Sequence, residues 1–199
     1  MTIDVFSVKI RLDFSFFAVL TLMLLLSDSS ITIMCFFSSM LHEIGHIIFM
    51  FAFSCKPSRI DFGAFGLRIK CENEILVSYQ KQFFIAMGGI IVNFAVSLLS
   101  FVGYLIYQNQ SLKILIFVNL FIALTNMFPI EALDMGRAVY CVLMSRSDEA
   151  KAENIMRTVS DVTVIGFTVL CILYSAFISI NISLCAVCVY IILINRKRR

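Results

Sequence analysis

Hydrophobic residues occur along this chain in long runs, which short polar segments separate. Several of these runs approach the roughly 20 residues that a helix needs to cross a bilayer. Helices are the default way to cross, because lipid offers no partner to unpaired backbone groups. The pattern predicts six spans, at 12–27, 31–55, 82–107, 112–129, 159–178 and 181–195. The predicted fold class is therefore an all-α polytopic membrane protein.

The polar segment between the second and third spans has a different periodicity. Leu67–Glu72 alternates apolar and polar residues, residues 75–79 are strand-like, and Glu72–Glu74 is typical of a turn. Residues 59–63 could add a third strand. The sequence thus predicts a small β-hairpin or sheet between the second and third helices. A free edge there could pair with an extended peptide, or the segment could simply join the two helices.

The distribution of Lys and Arg orients the predicted spans. Fifteen of the 16 basic residues fall in the termini or in the connections 56–81 and 130–158, and only Lys113 falls on the other side. Positive loops face the cytoplasm, so both termini are predicted to be cytoplasmic. The net charge of +3 needs no nucleic-acid partner, because the basic tail at 196–199 suits anionic lipid.

Composition agrees with a membrane location. The chain is 60% hydrophobic and 15% charged, with a mean hydropathy of +0.96, whereas soluble domains are roughly 45–50% apolar. No internal repeat or separable soluble domain is visible, so residues 1–199 are predicted to form one membrane domain. Within it, residues 147–157 predict a short capped helix at the cytoplasmic face.

The only two histidines lie in the second predicted span, in the sequence LHEIGHIIF. Residues four apart share a face of a helix, so His42 and His46 can hold one zinc ion together. Glu43 is then placed to act as a general base rather than as a ligand. The pair is predicted near mid-membrane, where ionisable groups are costly and indicate function. The alternative is that the histidines only hydrogen-bond a neighbouring helix.

A third ligand is needed, because catalytic zinc usually takes three protein ligands. Asp134 is the strongest candidate, although Glu131 lies nearby. A straight helix would carry Asp134 to the cytoplasmic edge, but Pro129 disrupts the helix. We therefore predict a broken or unwound stretch around 127–134 that returns Asp134 towards the metal. Alternatively, Pro129 ends one helix and Asp134 merely caps the next.

Three motifs together resemble those of the site-2 protease family of intramembrane zinc metalloproteases. HEIGH at 42–46 fits the family pattern H-E-x-G-H, and NMFPIEALDMGR at 126–137 is similar to N-x-x-P-x-x-x-L-D-G-G-R. GGIIVN at 88–93 resembles A-G-P-x-x-N. The order and spacing agree over about residues 31–145, which form the motif-bearing core.

The resemblance implies a role for each matched residue. It implies that zinc is bound by His42, His46 and Asp134, with one ion per chain. It also implies that Glu43 is the catalytic base, and that Asn93 and Asn126 help to hold the substrate backbone or the oxyanion.

The resemblance further implies the hydrolysis of peptide bonds in or near transmembrane segments of other membrane proteins. A sporulation-type branch of the family processes a pro-sigma factor, and we expect an integral protein of a bacterial plasma membrane. The chain leaves no room for the PDZ or CBS domains that many relatives carry.

Two positions depart from the family pattern. Met135 replaces the glycine after the aspartate, and Ile90 replaces the proline after Gly89. A glycine would permit tight backbone geometry that methionine resists, so the conformation beside Asp134 is a question for the structure.

Two other functions fit part of the pattern. A catalytically silent relative could bind membrane partners, but it would have no evident use for Glu43. A zinc transporter would also place His and Asp at mid-membrane, but it would be expected to show symmetric halves, which the sequence does not.

Overall fold

The structure is a computed structural model, which describes residues 2–5, 8–12, 21, 29–63, 66–71 and 77–177. The chain divides into two compact units, Met1–Leu124 and Thr125–Arg199. The described residues are mostly helical, and they also include one sheet.

Three helices begin in unit 1, and each coincides with one of the predicted apolar runs. They are α1 at Ser29–Ala52, α2 at Tyr79–Tyr107 and α3 at Gln110–Asn126. Their bounds lie close to the predicted spans 31–55, 82–107 and 112–129. Two glycines bring α1 and α2 close together, since a Cβ added to Gly45 would lie 2.5 Å from the carbonyl oxygen of Gly88.

Unit 2 contains α4 at Asp134–Met144 and α5 at Glu149–Phe177. The prediction of a short helix at 147–157 followed by a separate span at 159–178 is wrong, because α5 runs through both segments without a break. The threonine hydroxyls near residue 158, where the two elements were predicted to meet, form their hydrogen bonds within the helix. Thr158 donates a hydrogen bond to the Asn154 carbonyl at 2.9 Å, and Thr163 donates to the Val159 carbonyl at 2.8 Å.

The sheet has four strands in the order β1-β2-β3-β4. These are β1 at Thr2–Val5, β2 at Val8–Leu12, β3 at Pro57–Gly63 and β4 at Gly66–Cys71. β2 runs parallel to β3, and the other neighbouring pairs are antiparallel. The predicted third strand at 59–63 is β3, and it pairs directly with β4. The prediction of a strand reaching residue 79 is wrong at its end, because α2 begins at Tyr79.

The two N-terminal strands were not predicted. Residues 8–12 alternate apolar and polar side chains, but the run is short, and its partner β3 lies about 50 residues away in the sequence. Long-range pairing of this kind cannot be inferred from local periodicity.

Three described helices are long and apolar enough to cross a membrane, at Ser30–Ala52, Tyr79–Tyr107 and Glu149–Leu173. The helix at Gln110–Asn126 is also apolar but shorter. Large side chains such as Leu99 and Ile106 on α2 are 71% and 68% exposed, and extended apolar surface of this kind suits lipid. The predicted span at 181–195 and nearly all of that at 12–27 lie outside the described residues. The count of six spans therefore stays a prediction.

Candidate metal centre

The histidine pair lies on one face of the uninterrupted helix α1. The two rings meet edge to face with their centroids 5.0 Å apart, and the Nε2 atoms of His42 and His46 lie 3.4 Å apart. That separation exceeds the roughly 2.7–3.2 Å of an ordinary N–H hydrogen bond to oxygen. Two nitrogen ligands about 2.05 Å from a tetrahedral zinc ion would themselves be about 3.4 Å apart. The geometry of the pair therefore fits two ligands of a single metal ion.

A backbone carbonyl on α2 fixes the orientation of the second histidine. The Nδ1–H of His46 donates a hydrogen bond to the carbonyl oxygen of Ile85 at 2.8 Å. With the proton on Nδ1, Nε2 of the neutral ring carries its lone pair, which is the form that binds a metal. Outer partners of this kind set the tautomer and hold the ring in place. The sequence could not identify Ile85, because every residue type has a backbone carbonyl that can accept such a hydrogen bond.

Gly89 provides the space in which the two rings lie against α2. A Cβ added to Gly89 would be 2.6 Å from His42 Cε1 and 2.6 Å from His46 Nε2. These distances are far below van der Waals contact, so any larger residue would displace the rings. The resemblance included Gly89 in the GGIIVN motif but gave it no role. The structure shows that it accommodates the histidines.

Glu43 follows His42 on α1 and is half-buried, whereas His42 is only 6% exposed. Successive residues of a helix are rotated by about 100°, so Glu43 leaves the helix beside the histidine face rather than on it. Glu43 therefore does not share the face of the helix on which the two histidines lie.

The second motif lies where the backbone is irregular. α3 ends at Asn126, residues 127–133 form turns, and α4 begins at Asp134. The predicted break around 127–134 is therefore confirmed. Within it, Leu133 N–H donates to the Ile130 carbonyl at 2.8 Å, and Glu131 N–H donates to Ser160 Oγ on α5 at 3.2 Å. Such partners allow irregular backbone to persist away from water.

The backbone at the start of α4 accommodates Met135 without strain. Among the described residues, Ser54 and Gln108 are the non-glycine positions with positive φ, so Met135 occupies ordinary helical backbone. The position that needs a glycine is Gly136, since a Cβ there would overlap the carbonyl oxygen of Ile130. Ile90, the other departure, is 2% exposed inside the continuous helix α2.

Asp134 is the first residue of α4 and is half-buried. Within the described part of the chain, the histidine pair of unit 1 and Asp134 of unit 2 together supply donor atoms that could hold a metal ion. Two imidazole nitrogens and one carboxylate oxygen are a donor set typical of zinc. The alternative acid, Glu131, does not belong to this group.

The two predicted substrate-binding asparagines lie in different surroundings. Asn93 is 0% exposed on α2, one helical turn beyond Gly89, and Asn126 is the half-buried last residue of α3. Neither position by itself assigns a role, so the role in binding substrate stays a prediction for both residues.

Comparisons with known proteins support the fold. A scan against family models and a search of curated proteins gave no match. Among solved structures, the chain is similar to a site-2 protease from Methanocaldococcus jannaschii, with a TM-score of 0.70 and 17% sequence identity. The similarity covers 99% of this chain and 94% of that chain. The protein therefore has a site-2 protease-like fold.

Proposed function

We propose that the protein is an intramembrane zinc metalloprotease, which hydrolyses peptide bonds in or near transmembrane segments of membrane-bound substrate proteins. The observation that carries the proposal is the histidine pair. Its Nε2 atoms lie 3.4 Å apart, and the Ile85 carbonyl holds His46 with its lone pair towards His42. Two imidazoles in this form would hold zinc, with Asp134 as the third protein ligand. When bound, zinc polarises a carbonyl and acidifies water.

Glu43 supplies the acid–base function in this proposal. Glu43 follows His42 directly in the sequence, but its side chain does not leave α1 on the face that carries His42 and His46. It would take a proton from the attacking water and pass it to the leaving amine. A protein that only stored or carried zinc would have no need of a carboxylate in that position.

The depth of the pair supports a substrate within the bilayer. His42 lies 13 residues after the start of α1, which corresponds to about 20 Å along the helix. This is well inside a hydrocarbon core that is about 30 Å thick. The other face of α1 exposes apolar side chains such as Phe37, Ile48 and Phe51. The substrate we propose is thus a membrane protein with a transmembrane segment.

Location and topology are part of the same proposal. The protein would be an integral protein of a bacterial plasma membrane, as the family resemblance implies, and the distribution of basic residues supports cytoplasmic termini. Water would then reach the site from the side that carries the polar connections.

The test is co-expression with a panel of single-span substrate proteins, comparing the unchanged protein with Glu43→Gln. A matched control is Glu153→Gln, because Glu153 lies on α5, where it pairs with Arg157 at 3.6 Å and is about half exposed. We expect cleavage with the unchanged protein and the control, and a loss of at least about 100-fold with Glu43→Gln. Cleavage that survives Glu43→Gln would contradict the mechanism.

Zinc content of the purified protein tests the ligands separately. We expect about one zinc per chain in the unchanged protein and in Glu43→Gln, and a much lower content in Asp134→Ala. Asp148→Ala is the control, because Asp148 is an exposed carboxylate just before α5. Undiminished zinc affinity in Asp134→Ala would remove Asp134 from the site.

A further inference from the structure

A second cluster of polar side chains is buried in unit 1. Ser38, Asn93 and Asn119 come from α1, α2 and α3, and each is 0% exposed. Asn119 Nδ2 donates to Ser38 Oγ at 3.0 Å and to the Leu115 carbonyl at 2.9 Å. The Oδ1 of Asn119 and both polar atoms of Asn93 are also buried, yet no described residue forms a hydrogen bond with any of the three.

The register of α2 and α3 brings the two asparagines to one level. The helices are separated by only two residues, 108 and 109, so they run antiparallel. Ser97 on α2 donates a hydrogen bond to the Ile116 carbonyl on α3 at 3.2 Å. Asn93 is one turn before Ser97, and Asn119 is about one turn after Ile116. The antiparallel arrangement therefore places both amides in the same layer.

The register of α1 and α2 places this layer one turn from the histidine pair. Gly89 faces the ring of His42, and Asn93 follows Gly89 by four residues on the same face. Ser38 precedes His42 by four residues, also on the same face. The layer of Ser38, Asn93 and Asn119 therefore lies about one helical turn from the histidine pair, on the side nearer the start of α1.

We propose that Ser38, Asn93 and Asn119 form a binding site for buried water, one helical turn from the metal ligands. Buried polar groups are nearly always hydrogen-bonded, and internal water typically makes about three hydrogen bonds. Asn93 Nδ2 can donate to a water molecule, while the Oδ1 atoms of Asn93 and Asn119 can accept from it.

The chemistry of the layer selects water over other ligands. All three side chains are neutral, so the layer offers no charge to balance an ion. Each is fully buried, which excludes a polypeptide as the ligand. Asn93 thus acquires a role apart from the substrate contact implied by the family resemblance. If the proposed function holds, the layer also keeps water beside a site that consumes one water molecule per peptide bond.

A double-mutant cycle tests the site without using proteolysis. In detergent, Asn93→Leu and Asn119→Leu should each lower Tm by a few degrees, because each removes partners of the water. In the Asn119→Leu background, Asn93→Leu should lower Tm much less. Ser97→Ala is the matched control, since it removes a neighbouring interhelical hydrogen bond and should add independently to Asn93→Leu. A neutral or stabilising Asn93→Leu would overturn the proposal, because truly unsatisfied amides improve when apolar groups replace them.

An experimental structure of the unchanged protein at about 2 Å resolution completes the test. We expect density for water within hydrogen-bonding distance of Asn93 and of Asn119 Oδ1. A direct hydrogen bond between the two amides, with no such density, would overturn the water site even if the Tm values are coupled.

Discussion

The two motif regions hold their side chains by different means. In unit 1, His42 and His46 lie on an unbroken helix, and α2 contributes a hydrogen-bond acceptor at Ile85 and a space at Gly89. In unit 2, Asp134 follows the irregular residues 127–133, where hydrogen bonds from Leu133 N–H and Glu131 N–H support the backbone. A regular helix fixes the spacing of ligands through its own hydrogen bonds, whereas an irregular segment relies on local contacts that one substitution can break. Changes that disturb the backbone of the irregular segment should thus damage the fold first, and changes that disturb the histidine pair should damage metal binding first.

The largest effect expected is that of Gly136→Ala. The new Cβ would meet the Ile130 carbonyl oxygen, which is backbone and cannot rotate away, so the turn before α4 must rearrange. We expect the free energy of unfolding to fall by about 3 kcal/mol and Tm to fall by about 6–12 °C in detergent. Gly166→Ala on α5 is the control, because a Cβ there has no neighbour within 4 Å. Equal Tm values for the two variants would remove the contrast between the regions.

Gly89→Ala should show the opposite pattern. Its Cβ would meet the ring atoms of His42 and His46, which are side-chain atoms that can move aside. The fold should therefore survive with a small change in Tm, while zinc affinity falls by about 10- to 100-fold, as it does when outer partners of ligands are lost. The control is Gly103→Ala on the same helix, where the nearest atom would be Leu112 Cδ1 at 3.4 Å. If Gly89→Ala lowers Tm but leaves zinc affinity intact, the space is structural only.

A smaller effect is expected for Met135→Gly, which restores the residue of the family pattern. Because Met135 has ordinary helical backbone, glycine gives no conformational benefit there and costs about 1 kcal/mol of helix stability. Thermal unfolding and zinc titration should show a slightly lower Tm and unchanged affinity. A gain in affinity would mean that methionine strains the start of α4 after all.

The same contrast explains how far the sequence could predict the molecule. The apolar runs predicted α1, α2 and α3 to within a few residues, and the i, i+4 spacing predicted the histidine pair. Hydropathy wrongly divided α5 into two helices, because a change from polar to apolar residues does not by itself end a helix. Ile85 and Gly89 act through the register between α1 and α2, which the pattern of either helix alone does not encode. For the second motif, Pro129 predicted a break, but the position that needs glycine became visible only with the path of the backbone.

Glu131→Gln should have the smallest effect, and it separates the two ways in which the irregular segment contributes. The backbone N–H of Glu131, not its carboxylate, donates to Ser160 Oγ, and glutamine keeps that N–H. Glu131 also lies outside the group of His42, His46 and Asp134. Because glutamine keeps the length of the side chain and can still accept a hydrogen bond, we expect Tm to change by no more than the equivalent of about 0.5 kcal/mol, with zinc content unchanged. Asp134→Asn is the matched comparison, because it makes the same carboxylate-to-amide change three residues later and should lower zinc content sharply. If Glu131→Gln lowers zinc content as much, both acids of the segment serve the metal, and the roles assigned to backbone and side chain in unit 2 must be revised.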